Sequence, residues 1–344
     1  MTNATASPRM SKMTGLLVAG GVFGAVAASA LATSVAPAPA QALDACFSSG
    51  LTGTLKTGSA SCSSAGPLQW AIAIGANTNA EVAGGLFNLA LAVGDNSLAY
   101  TTPDVGASYF NIATAAAGGY AQASGIFNIA TARGSQPDGF SGAFATNGAF
   151  GVARAIGVNA YAKAGAGGNL EQASAFNIAV ARGENSKAFA LLGFGNSSRA
   201  FGSGAKATAG LGNGNIASAL GNGADAEAGG NNLRCPLCPP ADQASFNIAR
   251  VAGSNSNARA GALAIDAPES RFNIATVIGN ESAASAGQGN LNAARVFGNT
   301  SVALAGPGNG RRAIVIGSNQ AKSDPPEGAS ARRAAASVRS AAQR

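Results

Sequence analysis

Along residues 69 to 322 large and small side chains alternate with a period of two, in short runs cut by glycine. That period belongs to a β-strand, whose successive side chains leave opposite faces. Phe-Asn-Ile/Leu-Ala recurs at Phe87, Phe110, Phe127, Phe176, Phe246 and Phe272. From the Asn the pattern continues through Ile-Ala and three variable residues to a Gly six positions on, as in Asn128 to Gly134 or Asn247 to Gly253. Asn215 to Gly221 and Asn292 to Gly298 keep the frame without Phe. Degenerate copies end at Gly75, Gly157, Gly195 and Gly317, and the copy at Asn111 reaches Gly118 one residue late, which makes twelve units. Their starts are spaced by 22 residues on average, with gaps from 12 to 32. Extra length of this kind suits loops on one side of a stack.

A second segment follows each Gly, as in Gly253-Ser-Asn-Ser-Asn-Ala-Arg-Ala-Gly261. Its Ser and two Ala share one parity. The other parity varies, with Lys187 and Phe189 in one copy and Asp225 and Glu227 in another, as solvent-facing positions do. In the first segment Phe and Ile share one face, and Asn and Ala the other. The large face is expected to fill the coil interior, Phe over Phe, with the Asn beside each Phe forming a buried amide ladder. Arg154, Arg250 and Arg295 fall on that large-residue face, where the strand is expected to bend or end. The opposite band, Ala90, Ala130, Ala179, Ala249 and Ala275, is constant and small. Such a band fits close approach of a second wall of the coil or of a neighbouring chain, and hence a homo-oligomer.

Gly at each junction permits positive φ, and Asn or Ser after it can bond the turn locally. Each unit therefore reads strand, turn, strand, turn. One unit cannot bury its own apolar face, whereas stacked units can. The expected fold class is all-β, a repetitive parallel β-solenoid or β-roll of about twelve short-strand units, roughly 55 Å long at about 4.8 Å per rung.

Composition narrows the core. Gly (48) and Pro (13) are frequent but below the level of aperiodic disorder, while only 11% of residues are charged and 6% aromatic. The core must be thin and rich in Ala. Residues 1–42 carry Arg9 and Lys12, the apolar run Gly15 to Ala32 and Ala40-Gln41-Ala42, the layout of a cleaved signal peptide, with an uncleaved anchor as the alternative. Residues 43–68 read as a Cys-containing N-terminal cap, 69–322 as the solenoid with an insertion at 231–244, and 323–344 as a basic disordered tail. The expected location is exported, on the cell surface or envelope or secreted.

Cys46, Cys62, Cys235 and Cys238 are disulfide candidates in such a compartment, two local bridges being the simplest pairing. A four-thiolate zinc site fits poorly with Cys46 and Cys62 16 apart. The net charge of +7 sits at the two ends, and residues 43 to 310 hold 13 basic and 13 acidic groups. No broad basic surface for nucleic acid is expected there. The tail arginines Arg332, Arg333, Arg339 and Arg344 could meet an anionic envelope polymer.

The chain has no His, which removes Ser-His-Asp and Cys-His catalysis and every His-based metal site. Asp225 and Glu227 project from one strand face and are the one carboxylate pair to weigh for polysaccharide cleavage, or with Asn222 for calcium. Exposed charges on a solenoid wall are the simpler account. No catalytic residue, cofactor or metal is expected.

Trp70-Ala-Ile-Ala-Ile-Gly-Ala-Asn-Thr-Asn-Ala80 and Arg312-Ala-Ile-Val-Ile-Gly317 resemble the head repeats of trimeric autotransporter adhesins. That resemblance implies a left-handed β-roll, a trimer, and binding to host surface ligands. The Phe-Asn-Ile-Ala signature and the uneven repeat depart from it. The expected function is a non-enzymatic structural or adhesive protein, the alternatives being a polysaccharide-modifying β-helical enzyme or a carbohydrate- or ice-binding surface.

Overall fold

The computed structural model describes residues 44–102, 108–134, 141–165, 174–229, 244–261, 270–287 and 289–324. Residues 1–42, read above as a signal peptide, Cys235, Cys238, most of the 231–244 insertion and nearly all of the 323–344 tail lie outside them.

Among the described residues the chain is all-β, and its strands form two long walls. Each of twelve coils gives a five-residue strand to the first wall, turns, gives a four-residue strand to the second, and returns. In the first wall twelve strands run parallel in chain order from Trp70–Ile74 to Arg312–Ile316. In the second the order runs from Ser61–Ser64 to Ala321–Asp324. Coils stack in register, so that Ala130 pairs with Ala113 below and Ala153 above. This is a parallel β-solenoid.

One unit is framed differently from the sequence reading. The copy ending at Gly195 is displaced by seven residues: its strand is Ser197–Phe201 and its turn glycine is Gly202. The regular coil is then 19 residues long, as between Asn177, Asn196 and Asn215. Longer coils take their extra residues mainly at one place. Stretches 103–107, 166–173, 230–243 and 262–269 each fall, in chain order, between a second-wall strand and the corner into the next coil.

The first wall begins with a hairpin. Ala45–Ser49 pairs antiparallel with Trp70–Ile74, and Gly53–Thr57 pairs antiparallel with Ala45–Ser49. A Cys46–Cys62 disulfide ties this hairpin to the first strand of the second wall.

The interior reverses the expected facing of the first segment. Ala71, Ala90, Ala130, Ala179, Ala249 and Ala275 are fully buried, and the second wall supplies Ala80, Ala99, Ala121 and their successors. The constant Ala band is therefore the core itself. The phenylalanines placed in the repeat core, Phe87, Phe110, Phe127, Phe176, Phe246 and Phe272, stand outside and are 39–59% exposed. The reason is steric. Methyl-sized side chains bring the two walls so close that no ring fits between them. Each buried methyl contributes only about 0.8 kcal/mol, so stability rests on the number of rungs.

The rest of the core is polar and largely bonded, the hydroxyls of Thr101, Ser124 and Ser141 being exceptions. Asn128 Oδ1 accepts from the backbone N–H of Gly151, and the Oδ1 of Asn177, Asn196, Asn215, Asn247 and Asn273 accepts from the N–H at the same position one coil on, at 2.8–3.1 Å. The Asn Nδ2 donates to a carbonyl of the next coil's return segment, as Asn215 does to Ala244 at 2.8 Å. The amide ladder foreseen beside the phenylalanines exists, and it runs largely through the backbone. At most of these turns glycine is required by close approach: a Cβ on Gly253 would lie 1.8 Å from the carbonyl oxygen of Gly279 in the next coil, whereas the coil of Asn111 places Ala117 at this position with φ 49°.

Candidate binding surface

Because Ala and Asn point in, the alternate residues of each first-wall strand point out. Leu89, Ile112, Ile129, Val152 and Ile178 form one outward column. The middle column runs Arg154, Val180, Arg199, Ser218, Arg250, Thr276, Arg295, so that an arginine stands on every second coil. Adjacent like charges across a ladder would repel, and alternation avoids that. Arg133 and Arg182 stand in the third column, again two coils apart, with Ile156 between them. Among the described residues no carboxylate lies on this outward face. The strands carrying Arg154, Arg250 and Arg295 neither bend nor end there; arginine is accommodated because that face is wet. The balanced charge of the middle of the chain thus conceals a segregated basic wall.

At the corner leading into the first wall, a column of residues adopts positive φ. Phe87, Phe110, Phe127, Phe150, Phe176, Phe246 and Phe272 all have φ of 55–58°. The first five stack with ring centroids 4.7–5.1 Å apart and planes within 5° of parallel. Phe246 and Phe272 stack at 5.3 Å. A left-handed conformation costs an L-residue roughly 1–2 kcal/mol, and a stacked ring pair offsets about 0.5–1.5 kcal/mol of it. Gly195, Gly214 and Gly310 hold the same corner at φ 65–68° without that cost. The corner requires positive φ, not a ring. Phe150 escaped the motif because Gly151 replaces the Asn after it; the run Phe-Gly-Val-Ala-Arg-Ala-Ile-Gly157 was the available signal.

The second wall differs outside. Tyr100, Tyr120, Phe144, Tyr161 and Phe189 alternate between its two outward columns in a zigzag, with centroids 5.2–5.7 Å apart and planes tilted by 47–57°. Burial raises the Tyr161 hydroxyl pKa and lowers that of the Lys163 ammonium. Further along, Asp225 pairs in register with Lys206 and Glu227 with Arg259. Asn257 Nδ2 donates to Asp225 Oδ2 at 3.2 Å. Burial raises the Glu227 pKa, Arg259 and Lys206 opposing it and Asp225 adding to it. The carboxylate pair singled out in the sequence therefore lies in a mixed-charge cluster. Asn222, its calcium companion, sits at the turn with Oδ1 accepting from the Ser203 N–H at 3.0 Å.

Of the four cysteines, Cys46 and Cys62 are joined and Cys235 and Cys238 lie outside the described residues. Comparison of the chain with family models, curated proteins and solved structures finds no match.

Proposed function

We propose that the chain is an exported, non-enzymatic structural or adhesive solenoid of the cell envelope or surface, which engages its partners through the outward faces of its walls. The observation that carries this reading is the regular, exposed array on the first wall, where arginines on alternate coils stand among aliphatic columns beside a ring ladder. An array repeated over many coils suits an extended partner. The Cys46–Cys62 bridge adds weak support for an oxidising compartment. A homo-oligomer, the trimer of the adhesin heads included, would not use the Ala band, which lies inside each coil.

One feature favours the enzymatic alternative: Glu227, raised in pKa by burial beside Asp225, has the character of a general acid. Lys206, Asn257 and Arg259 around the pair fit an ionic cluster better. The deciding experiment incubates the purified protein with insoluble cell-wall polysaccharide and measures both retention in the pellet and release of reducing sugar. Retention without release is expected. Release that Glu227→Gln abolishes would replace the scaffold with a hydrolase.

A further inference from the structure

The face that makes this chain a scaffold also specifies what it can hold. We propose that the first wall docks, by its outward face and the phenylalanine column at its corner, on a lipid bilayer bearing anionic headgroups. The proposal rests on the scaffold reading and names its partner.

Area comes first. Twelve coils at about 4.8 Å and strands of five residues at about 3.3 Å give a face of roughly 50 Å by 16 Å. The largest apolar patch of an ordinary soluble monomer covers about 300–600 Å². The two flanking columns, about two-thirds of this face, are mostly apolar and reach the upper part of that range, and Ile129, Ile178, Leu220 and Ile278 in them are 37–50% exposed.

Charge comes next. Arg154, Arg199, Arg250 and Arg295 stand two coils apart, or about 10 Å, so each guanidinium can take a separate anionic group. With no described carboxylate on the face, the complementary surface is negative. That argues against a second copy docked face to face, which would set arginine against arginine. The carboxylates of the second wall are no better partners: Asp225 and Glu227 already face Lys206, Asn257 and Arg259, Asp324 lies 3.9 Å from Arg311, and Glu81 is a single charge against a column of arginines.

Ring geometry separates lipid from sugar. A sugar stacks on the face of an aromatic ring, but in the Phe87 to Phe176 ladder neighbouring rings cover one another's faces at 4.7–5.1 Å. Inside that run only ring edges project; Phe176, which meets Gly195 at the next corner, ends it. Edges and aliphatic columns suit hydrocarbon, and cations beside them suit headgroups. Two such weak signals acting together are what stable membrane attachment takes.

The test uses the full chain and sedimenting vesicles of phosphatidylcholine, with and without three-tenths phosphatidylglycerol, in about 0.1 M salt, where the screening length is about 10 Å. The protein should partition onto the anionic vesicles, and emission from its single tryptophan, Trp70 on the outward face of the first coil, should shift to the blue. Arg199→Ser/Arg250→Ser should lower partition by about 25-fold, at about fivefold per arginine. Lys187→Ser/Lys206→Ser removes the same charge from the second wall and should change it by about twofold at most. Phe110→Gly/Phe127→Gly keeps the backbone, as Gly195 and Gly214 do, and should weaken partition severalfold.

No binding to anionic vesicles, arginine variants that bind like wild type, or equal losses from either wall would overturn the proposal. So would phenylalanine variants with unchanged partition, which would indicate a polyanion site. Retention on cell-wall material without vesicle binding would overturn this inference alone, whereas release of reducing sugar would overturn the scaffold reading beneath it.

Discussion

The two walls share one interior and differ outside. Inward, both present Ala to a space too narrow for anything much larger than Val82 or Val251. Outward, the first wall carries aliphatic columns, alternating arginines and no described carboxylate, while the second mixes tilted rings with charges of both signs. The coil thus fixes what lies inside and leaves each outer face free to diverge. In a solenoid, binding chemistry is set one wall at a time.

The sharpest break of this comparison pits neighbouring residues on one strand. Ala179→Glu would bury a carboxylate among methyl groups and should remove more than about 4 kcal/mol, enough to abolish the folded stack or much of it. Val180→Glu, one residue on and outward, should cost less than about 1 kcal/mol. Thermal and urea melts of the pair read the difference. Comparable losses would mean that the first wall has no distinct outside.

A smaller loss is expected from the polar ladder. Asn215→Ala strands the Asn247 N–H and the Ala244 carbonyl and should cost about 2–4 kcal/mol. The same melts check it, with local loosening near Asn247 visible as faster amide exchange. At the ring column the balance nearly cancels: Phe127→Gly removes two stacking contacts and one strained corner, and should shift stability by about 1 kcal/mol or less.

The smallest effect lies on the second wall. Burial raises the folded-state pKa of Glu227 above its unfolded value, so the folded chain holds that proton more tightly than the unfolded chain. Its contribution is fully favourable below the ordinary glutamate range and fades as pH rises through the raised value. Melting temperature should therefore drop slightly as pH rises from the ordinary carboxylate range toward neutral, and Glu227→Gln should flatten that slope. An unchanged slope in the variant would assign it elsewhere.

Much of the fold was legible. Period two, the Gly junctions and the recurring Ala specify stacked strands, and the small constant parity of the second segment was read correctly as inward. The first segment was inverted, because alternation defines two faces without saying which is buried. The habit of placing large apolar residues inside then chose the Phe/Ile face. Arg154, Arg250 and Arg295 pointed the other way, as did Gly at the Phe position before Asn196 and Asn215: a residue filling a core is not replaced freely by glycine. The left-handed corner itself had no direct signal beyond those glycines. The basic wall was hidden because counting charges along a chain averages over faces that only the coil separates.

The most direct test of this inside-out assignment is hydroxyl-radical footprinting of the dilute wild-type protein, read residue by residue by mass spectrometry. Phe110, Phe127 and Phe176 should be modified readily, whereas Val251, Val277 and Val296, on first-wall strands with 0–1% exposure, should be protected until the chain is denatured. Phenylalanines as protected as those valines in the folded protein would contradict the account.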